Sequence, residues 1–135
     1  MKKILFTLLV FLASFTFSLA ASNPREKVIN TYEDGAVKVK VYYYDSYLKS
    51  VTYFNNGNIE EIGYFNTNGE RTGKWIMYND KGNVISEANY KNGKKHGEWK
   101  IYNNEGQMTF YIVYKKGIRK SAFSWDEERG LIVKN

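Results

Sequence analysis

The chain repeats itself every 24 residues, and this period constrains the fold more than any other feature of the sequence. Gly69-Glu70-Arg71-Thr72-Gly73-Lys74-Trp75 returns as Gly93-Lys94-Lys95-His96-Gly97-Glu98-Trp99, with both glycines and the tryptophan in register. Outside that block Tyr78 maps onto Tyr102, Gly82 onto Gly106, Tyr90 onto Tyr114 and Gly93 onto Gly117. A fixed period of roughly 20 to 50 residues marks tandem architectures, in which each unit is one supersecondary element that buries its apolar surface only against its neighbours. The frame runs on in weaker form. Phe123 falls in the tryptophan slot and Gly130 in the turn-glycine slot, while Val51, Phe54 and Asn56-Gly57 fit upstream after a one-residue deletion. Tyr32-Glu33-Asp34-Gly35 is the earliest trace. Two good units are thus flanked by two imperfect ones, as a stack whose outermost members face solvent requires.

Within a unit the local pattern is that of strands. β-Branched and aromatic residues run in short stretches between Asn, Asp and Gly clusters, and helix signals are absent. Asn56-Gly57, Asn68-Gly69 and Asn92-Gly93 are expected to supply positive φ angles to tight hairpin turns, and Asp80-Lys81-Gly82 and Asn104-Glu105-Gly106 suit three-residue turns ending in a bulge glycine. The turn glycines are therefore Gly57, Gly69, Gly82, Gly93, Gly106 and Gly117. Strands are predicted near 36–44, 47–54, 58–65, 74–78, 83–90, 98–102 and 107–114, each antiparallel to the next. The fold class is all-β: a single elongated, twisted antiparallel sheet of tandem β-hairpins.

Alternation along a strand sends successive side chains to opposite faces. Val37, Val39, Val41 and Tyr43 share one face against Lys38 and Lys40. Met108, Phe110, Ile112 and Tyr114 share another, yet Tyr111 and Val113 behind them are also bulky, so both faces carry apolar surface. A residue that packing requires in every unit recurs with the period, which assigns Trp75, Tyr78, Tyr90, Trp99, Tyr102 and Tyr114 to a repeated core rather than to a ligand groove.

The N-terminus reads differently. Lys2 and Lys3 precede an apolar run from Ile4 to Phe17, and Ser18 and Ala20 are small residues at the −3 and −1 positions of a cleavage site. Residues 1–20 are expected to be a secretory signal peptide and residues 21–135 the repeat domain, periplasmic or secreted; the apolar run is shorter than the roughly 20 residues of a membrane span. The chain has no cysteine, which excludes disulfides, thiolate metal sites and thiol nucleophiles. Without Lys2 and Lys3, eighteen basic residues face fourteen acidic ones, a mild +4 that points to a solvated surface rather than to a nucleic-acid face.

No residue pattern points to catalysis, a cofactor or a metal. His96 is the one histidine and lies in a Gly-Lys-Lys-His-Gly turn, without a second imidazole at metal-ligand spacing. Glu60-Glu61 and Asp126-Glu127-Glu128 are sequence neighbours, which on a strand face opposite ways. No Gly-rich loop has phosphate-cradle spacing. The candidate contact surface is instead basic: Lys91, Lys94 and Lys95 recur near Lys115, Lys116, Arg119 and Lys120, so a meander of hairpins brings two lysine-rich turns to one sheet edge. Expected partners are a protein, a glycan or an anionic lipid surface.

The unit Gly-x-Trp-x-x-Tyr followed by an Asx-x-Gly turn, an apolar strand with a Tyr, and x-Asn-Gly resembles the bacterial variant of the MORN repeat found in antitoxin-like proteins. Gly73, Trp75, Tyr78, Gly82, Tyr90 and Gly93 carry the resemblance once, and the residues 24 further on carry it again. It implies a row of antiparallel hairpins and a protein- or membrane-surface interaction role rather than catalysis. Some similar chains carry nucleotidyltransferase-type names, but a His-x-Gly-His motif has no place in a chain with one histidine. An enzyme with an unrecognised site is the alternative, and a deep pocket joining carboxylates from different hairpins is its signature. Cleavage after Ala20 is expected on export, leaving Ala21-Ser22-Asn23-Pro24 at the new N-terminus. Intact mass of the exported protein checks this, and a retained leader refutes it.

Overall fold

The computed structural model describes residues 24–126 and 130–134. The expected leader, its cleavage junction and Glu127-Glu128 lie outside the described residues. What is described is all-β, one open antiparallel sheet of consecutive hairpins as the period implies. In chain order the strands are β1 (Arg25–Thr31), β2 (Val37–Tyr43), β3 (Tyr47–Tyr53), β4 (Ile59–Asn66), β5 (Arg71–Tyr78), β6 (Val84–Lys91), β7 (Lys94–Lys95), β8 (Gly97–Tyr102), β9 (Met108–Lys115), β10 (Ile118–Asp126) and β11 (Gly130–Lys134). Spatial order follows sequence order, with the two-residue β7 pairing with β6 just before β8 takes over. β1, β7, β10 and β11 go beyond the seven strands expected. β1 left no signal because all seven of its residues are exposed, so burial imposes no alternation on them.

Two turn types join the strands, and they correct one expectation. Asn92 and Gly93 both have positive φ, 49° and 73°, the two-residue turn that an Asn-Gly pair favours. Asn56 and Asn68 do not; only Gly57 and Gly69 do. Their loops are longer, closed by Asn66 N–H to Glu70 O at 2.9 Å and Gly69 N–H to Asn66 O at 3.0 Å, the same pattern as at Asn79–Asn83 and Asn103–Gln107. The side chain that matters there is the first one. Oδ1 of Asn66, Asn79 and Asn103 each accepts two backbone N–H groups of its own loop. Asn-x-x-Gly is therefore the turn signal of these loops, with the asparagine acting through its side chain.

Among the described residues the single sheet has no second layer to pack against, and burial is correspondingly sparse. Val41, Val51, Trp75, Ala88 and Ala122 form the buried apolar set, and among the described residues no side chain is fully enclosed. Its centre is a row perpendicular to the strands. Val41 faces Ser50, Ser50 faces Gly63, and Trp75 faces Ala88. The Trp75 indole lies flat over Gly63, where an added Cβ would collide with the ring. Trp75 is 4% exposed; Trp99 is half-buried, its Nε1–H donating to Asn89 O at 3.0 Å.

The glycine two residues before each tryptophan sets up this row. Gly73 and Gly97 both have φ 64°. Between the pairs Tyr64↔Thr72 and Ile62↔Ile76, three residues of β5 oppose Gly63 alone, a slip of two. Between Tyr90↔Lys95 and Glu87↔Lys100 the slip is again two, so both tryptophans return to one face, the tryptophan face. At the third unit Ser121 occupies the glycine position and the slip is one, Arg119↔Tyr114 giving way to Ser121↔Val113. An odd slip inverts every later side chain. Phe123, expected in the tryptophan slot, therefore lies on the opposite face against Tyr111, with ring centroids 6.1 Å apart. Val51 also lies on that opposite face, between Lys40 and Ile62.

Truncating Trp75 to Ala is expected to cost about 3–5 kcal/mol. Gly63→Ala is expected to cost about 1–3 kcal/mol through overpacking, and Trp99→Ala to cost less than Trp75→Ala. Chemical denaturation of the three variants measures this order, and a Gly63→Ala variant as stable as the parent overturns the close-approach account.

Candidate functional site

The hairpin tips stack on one another, and this decides which basic residues meet. Gly93 N–H donates to Arg71 O at 2.9 Å, and 24 residues later Gly117 N–H donates to Lys95 O at 2.8 Å. The turns at 67–70, 92–93 and 116–117 thus form one edge of the sheet. Lys91, Asn92, Lys94, His96 and Lys116 line a recess of about 370 Å³ there, with Glu70 at its upstream wall. Lys91, Lys94, Lys115, Lys116 and Lys120 are exposed. Lys116 holds φ 52° in the position where the preceding unit has Asn92. The other edge is acidic by contrast, with Glu33, Asp34, Asp80 and Glu105 in its loops beside Lys81.

Lys95 and Arg119 do not belong to the tip recess, contrary to their grouping in the sequence. Lys95 pairs with Tyr90 and Arg119 with Tyr114, which puts both on the tryptophan face. The Lys95 ammonium sits 4.5 Å from the Trp99 centroid and 5.0 Å from that of Tyr114. One period earlier the Arg71 guanidinium sits 4.0 Å from Trp75 and 5.4 Å from Tyr90. These cations cap a ladder of edge-to-face rings: Phe65–Trp75 at 5.1 Å, Trp75–Tyr90 at 5.9 Å, Tyr90–Trp99 at 5.2 Å and Trp99–Tyr114 at 5.3 Å. Four of the six expected core residues are on this ladder. Tyr78 and Tyr102, the other two, are half-buried at the far ends of β5 and β8. Arg71 escaped the sequence reading, although its recurrence as Lys95 and Arg119, four residues before each tryptophan slot, was a visible signal.

A second feature that sequence did not suggest is a recess of about 430 Å³ where the β2–β3 turn meets the loop after β4, lined by Tyr43, Tyr44, Tyr47, Leu48 and Phe65. Tyr44 and Tyr47 stack there, 4.4 Å apart at 16°, and are partly open to solvent. Burial, helped by Tyr44 and Tyr64, raises the Tyr47 phenol above its ordinary range, so it stays neutral.

Among the described residues no three His, Asp or Glu side chains cluster as metal ligands. The larger recesses hold carboxylates from one hairpin at a time: Glu70 in one, Glu33 with Asp34 in another, Glu105 in a third. His96 lies among lysines, its backbone N–H donating to Asn89 O.

An open sheet of stacked hairpins with a recurring glycine, tryptophan and tyrosine defines a repeat-type module. Within it, residues 71–92 and 95–116 each match the MORN repeat variant, consistent with a module that works by interaction. No curated protein matches the chain.

Glu61 stands beside this ladder, in a small crevice with Arg71 and Trp75. Burial pushes its carboxyl above the usual range, opposed by the Arg71 charge. A raised folded-state pKa means that the stability Glu61 contributes is fully present below its unfolded pKa and is lost as pH rises through the folded value. Glu61→Gln should therefore melt higher than the parent at neutral pH, with the difference vanishing in acid. Melting curves between pH 4 and 8 check the sign, and equal melting temperatures at neutral pH refute it.

Proposed function

We propose that this chain is an exported, non-enzymatic binding module that contacts an anionic surface of the cell envelope through its stacked basic tips. The observation that carries the reading is the convergence of Lys91, Lys94 and Lys116 around one recess on one edge. Three ammonium groups there, with Glu70 as the single acid, favour a negatively charged counterpart. The Lys2-Lys3 n-region, the apolar run and the small residues at Ser18 and Ala20 support export. The mild net charge and the absence of clustered carboxylates or metal ligands among the described residues favour binding over catalysis.

Each basic residue near an anionic surface contributes about 1 kcal/mol, and the attraction fades within about 8 Å at physiological salt. The mature protein should therefore sediment with anionic vesicles at low salt, less so at physiological salt, and not with neutral vesicles. The Lys91→Glu, Lys94→Glu, Lys116→Glu variant should stay in solution. Equal sedimentation of variant and parent, or of neither, reduces the tips to a solubilising edge.

A further inference from the structure

The tryptophan face carries a row of charge that the tips do not use. Register places Arg25 beside Tyr43, Arg71 beside Phe65, Lys95 beside Tyr90 and Arg119 beside Tyr114, all on this face. Arg71, Lys95 and Arg119 are each separated by two strand steps, so they repeat across the sheet at roughly 10 Å. Among the described strand side chains on this face, Glu61 is the one carboxylate. The ion pairs lie on the other side: Lys40–Glu26, Lys74–Glu87 and Lys100–Glu98 are all on the opposite face. No carboxylate among the described residues comes within ion-pair distance of Arg71 or Lys95. Their rings hold them instead, and a cation already fixed over two rings loses little freedom on meeting an anion.

Between Arg25 and Arg71 the row passes the tyrosine recess. Tyr43, Leu48 and Phe65, which pair in turn across β2, β3 and β4, line it on the tryptophan face and continue the strip, whereas Tyr44 and Tyr47 stack on each other, with Tyr47 edge-on to Tyr64, at the opposite face. No cation among the described residues covers Tyr43, Tyr44 or Tyr47, whereas Arg71 and Lys95 cover the ladder further along. The strip thus offers an open ring, Tyr43, at one end and evenly spaced cations beyond.

We infer that this strip binds a linear acidic polysaccharide, with a pyranose ring on the open Tyr43 ring and uronic acid carboxylates meeting Arg71, Lys95 and Arg119. An extended chain that alternates uronic acid with a neutral sugar presents one carboxylate per disaccharide, a length that matches two strand steps. Single-stranded nucleic acid fits less well, because its bases need uncovered rings along the whole track and its phosphates follow one another more closely than these cations do. A bilayer fits less well too, since Trp75 is 4% exposed beneath Arg71 and has no ring to insert. The inference rests on the non-enzymatic binding reading but uses residues outside the tip recess, so the two can fail separately.

The test is calorimetric titration of the mature protein with a hyaluronan decasaccharide, beside a neutral chitin oligomer, an oligodeoxythymidine and anionic vesicles. Hyaluronan should bind in preference to the chitin oligomer and the oligonucleotide. Arg71→Gln with Lys95→Gln should weaken it about tenfold for each cation removed. Arg71→Lys with Lys95→Arg should retain it, and Tyr43→Ala should weaken it with the salt dependence unchanged. The triple tip variant should lose vesicles and keep hyaluronan. Thermal melts separate lost binding from lost folding. If the double Gln variant does not fold, Arg119→Gln, at an exposed position without a ring clamp, still reports the loss. Failure of hyaluronan to bind, equal affinity for the chitin oligomer, tighter binding of the oligonucleotide, or full affinity in a folded Arg71→Gln, Lys95→Gln or Arg119→Gln variant each overturns the inference, whatever the vesicles do.

Discussion

The indole of Trp75 lying flat on Gly63 is the contact on which the rest of the sheet depends. In a two-layer protein a large ring projects from its strand into the opposing layer. Among the described residues no layer stands opposite, so a ring is buried only by lying down across its neighbours, and that needs a neighbour without a Cβ. Gly63 meets the need upstream of Trp75, and Ala88 is the directly opposed residue downstream. Trp99 is left half-buried with a hydrogen bond to Asn89 O. The edge-to-face chain from Phe65 to Tyr114 then spreads the burial over five strands instead of concentrating it in one core.

Laying the rings down depends in turn on backbone slip. A regular antiparallel pair keeps its register, and an extra residue shifts it by one and reverses the faces. The glycine before each tryptophan adopts φ 64° and admits two extra residues, an even number, so the ring returns to the face of its predecessors. The period of 24 repeats this even slip, and the phase of the ladder is kept for as long as the glycine is present. Ser121 replaces it in the third unit, the slip becomes odd, and the ladder stops at Tyr114.

The fold class was legible in the sequence because it follows from period and turn chemistry, both of which are local. Strands predicted from alternation fell close to where they occur: 83–90 was expected for β6, which spans Val84–Lys91. Face assignment inside one strand was legible as well, with Val37, Val39 and Val41 aligned as their spacing implies. Assignment between units was not. Matching Phe123 to Trp99 by counting 24 assumes that the slip is the same in each unit, and a change of one residue in slip leaves the count intact while reversing the face. Grouping Lys95 with Lys94 failed for a related reason: neighbours in sequence are on opposite faces of a strand, and one joins the tip recess while the other caps Trp99. The tyrosine recess left no periodic signal, because Tyr43, Tyr44 and Tyr47 belong to a unit without counterparts 24 residues on.

Slip also explains how charge is divided between the faces. Arg71, Lys95 and Arg119 precede the slip in their units, whereas Trp75, Trp99 and Phe123 follow it. The cations are therefore placed by the hairpin turn just before them and share one face whatever happens afterwards. The rings depend on the glycine and follow only where the slip is even. At the third unit the two part company: Arg119 stays on the tryptophan face opposite Tyr114, and Phe123 crosses to the side of Tyr111. Arg119 is left exposed, with no tryptophan beneath it to compete for its charge. A row of cations that outlasts its supporting rings has one end clamped and the other open to solvent, and at the open end an incoming anion has least to displace.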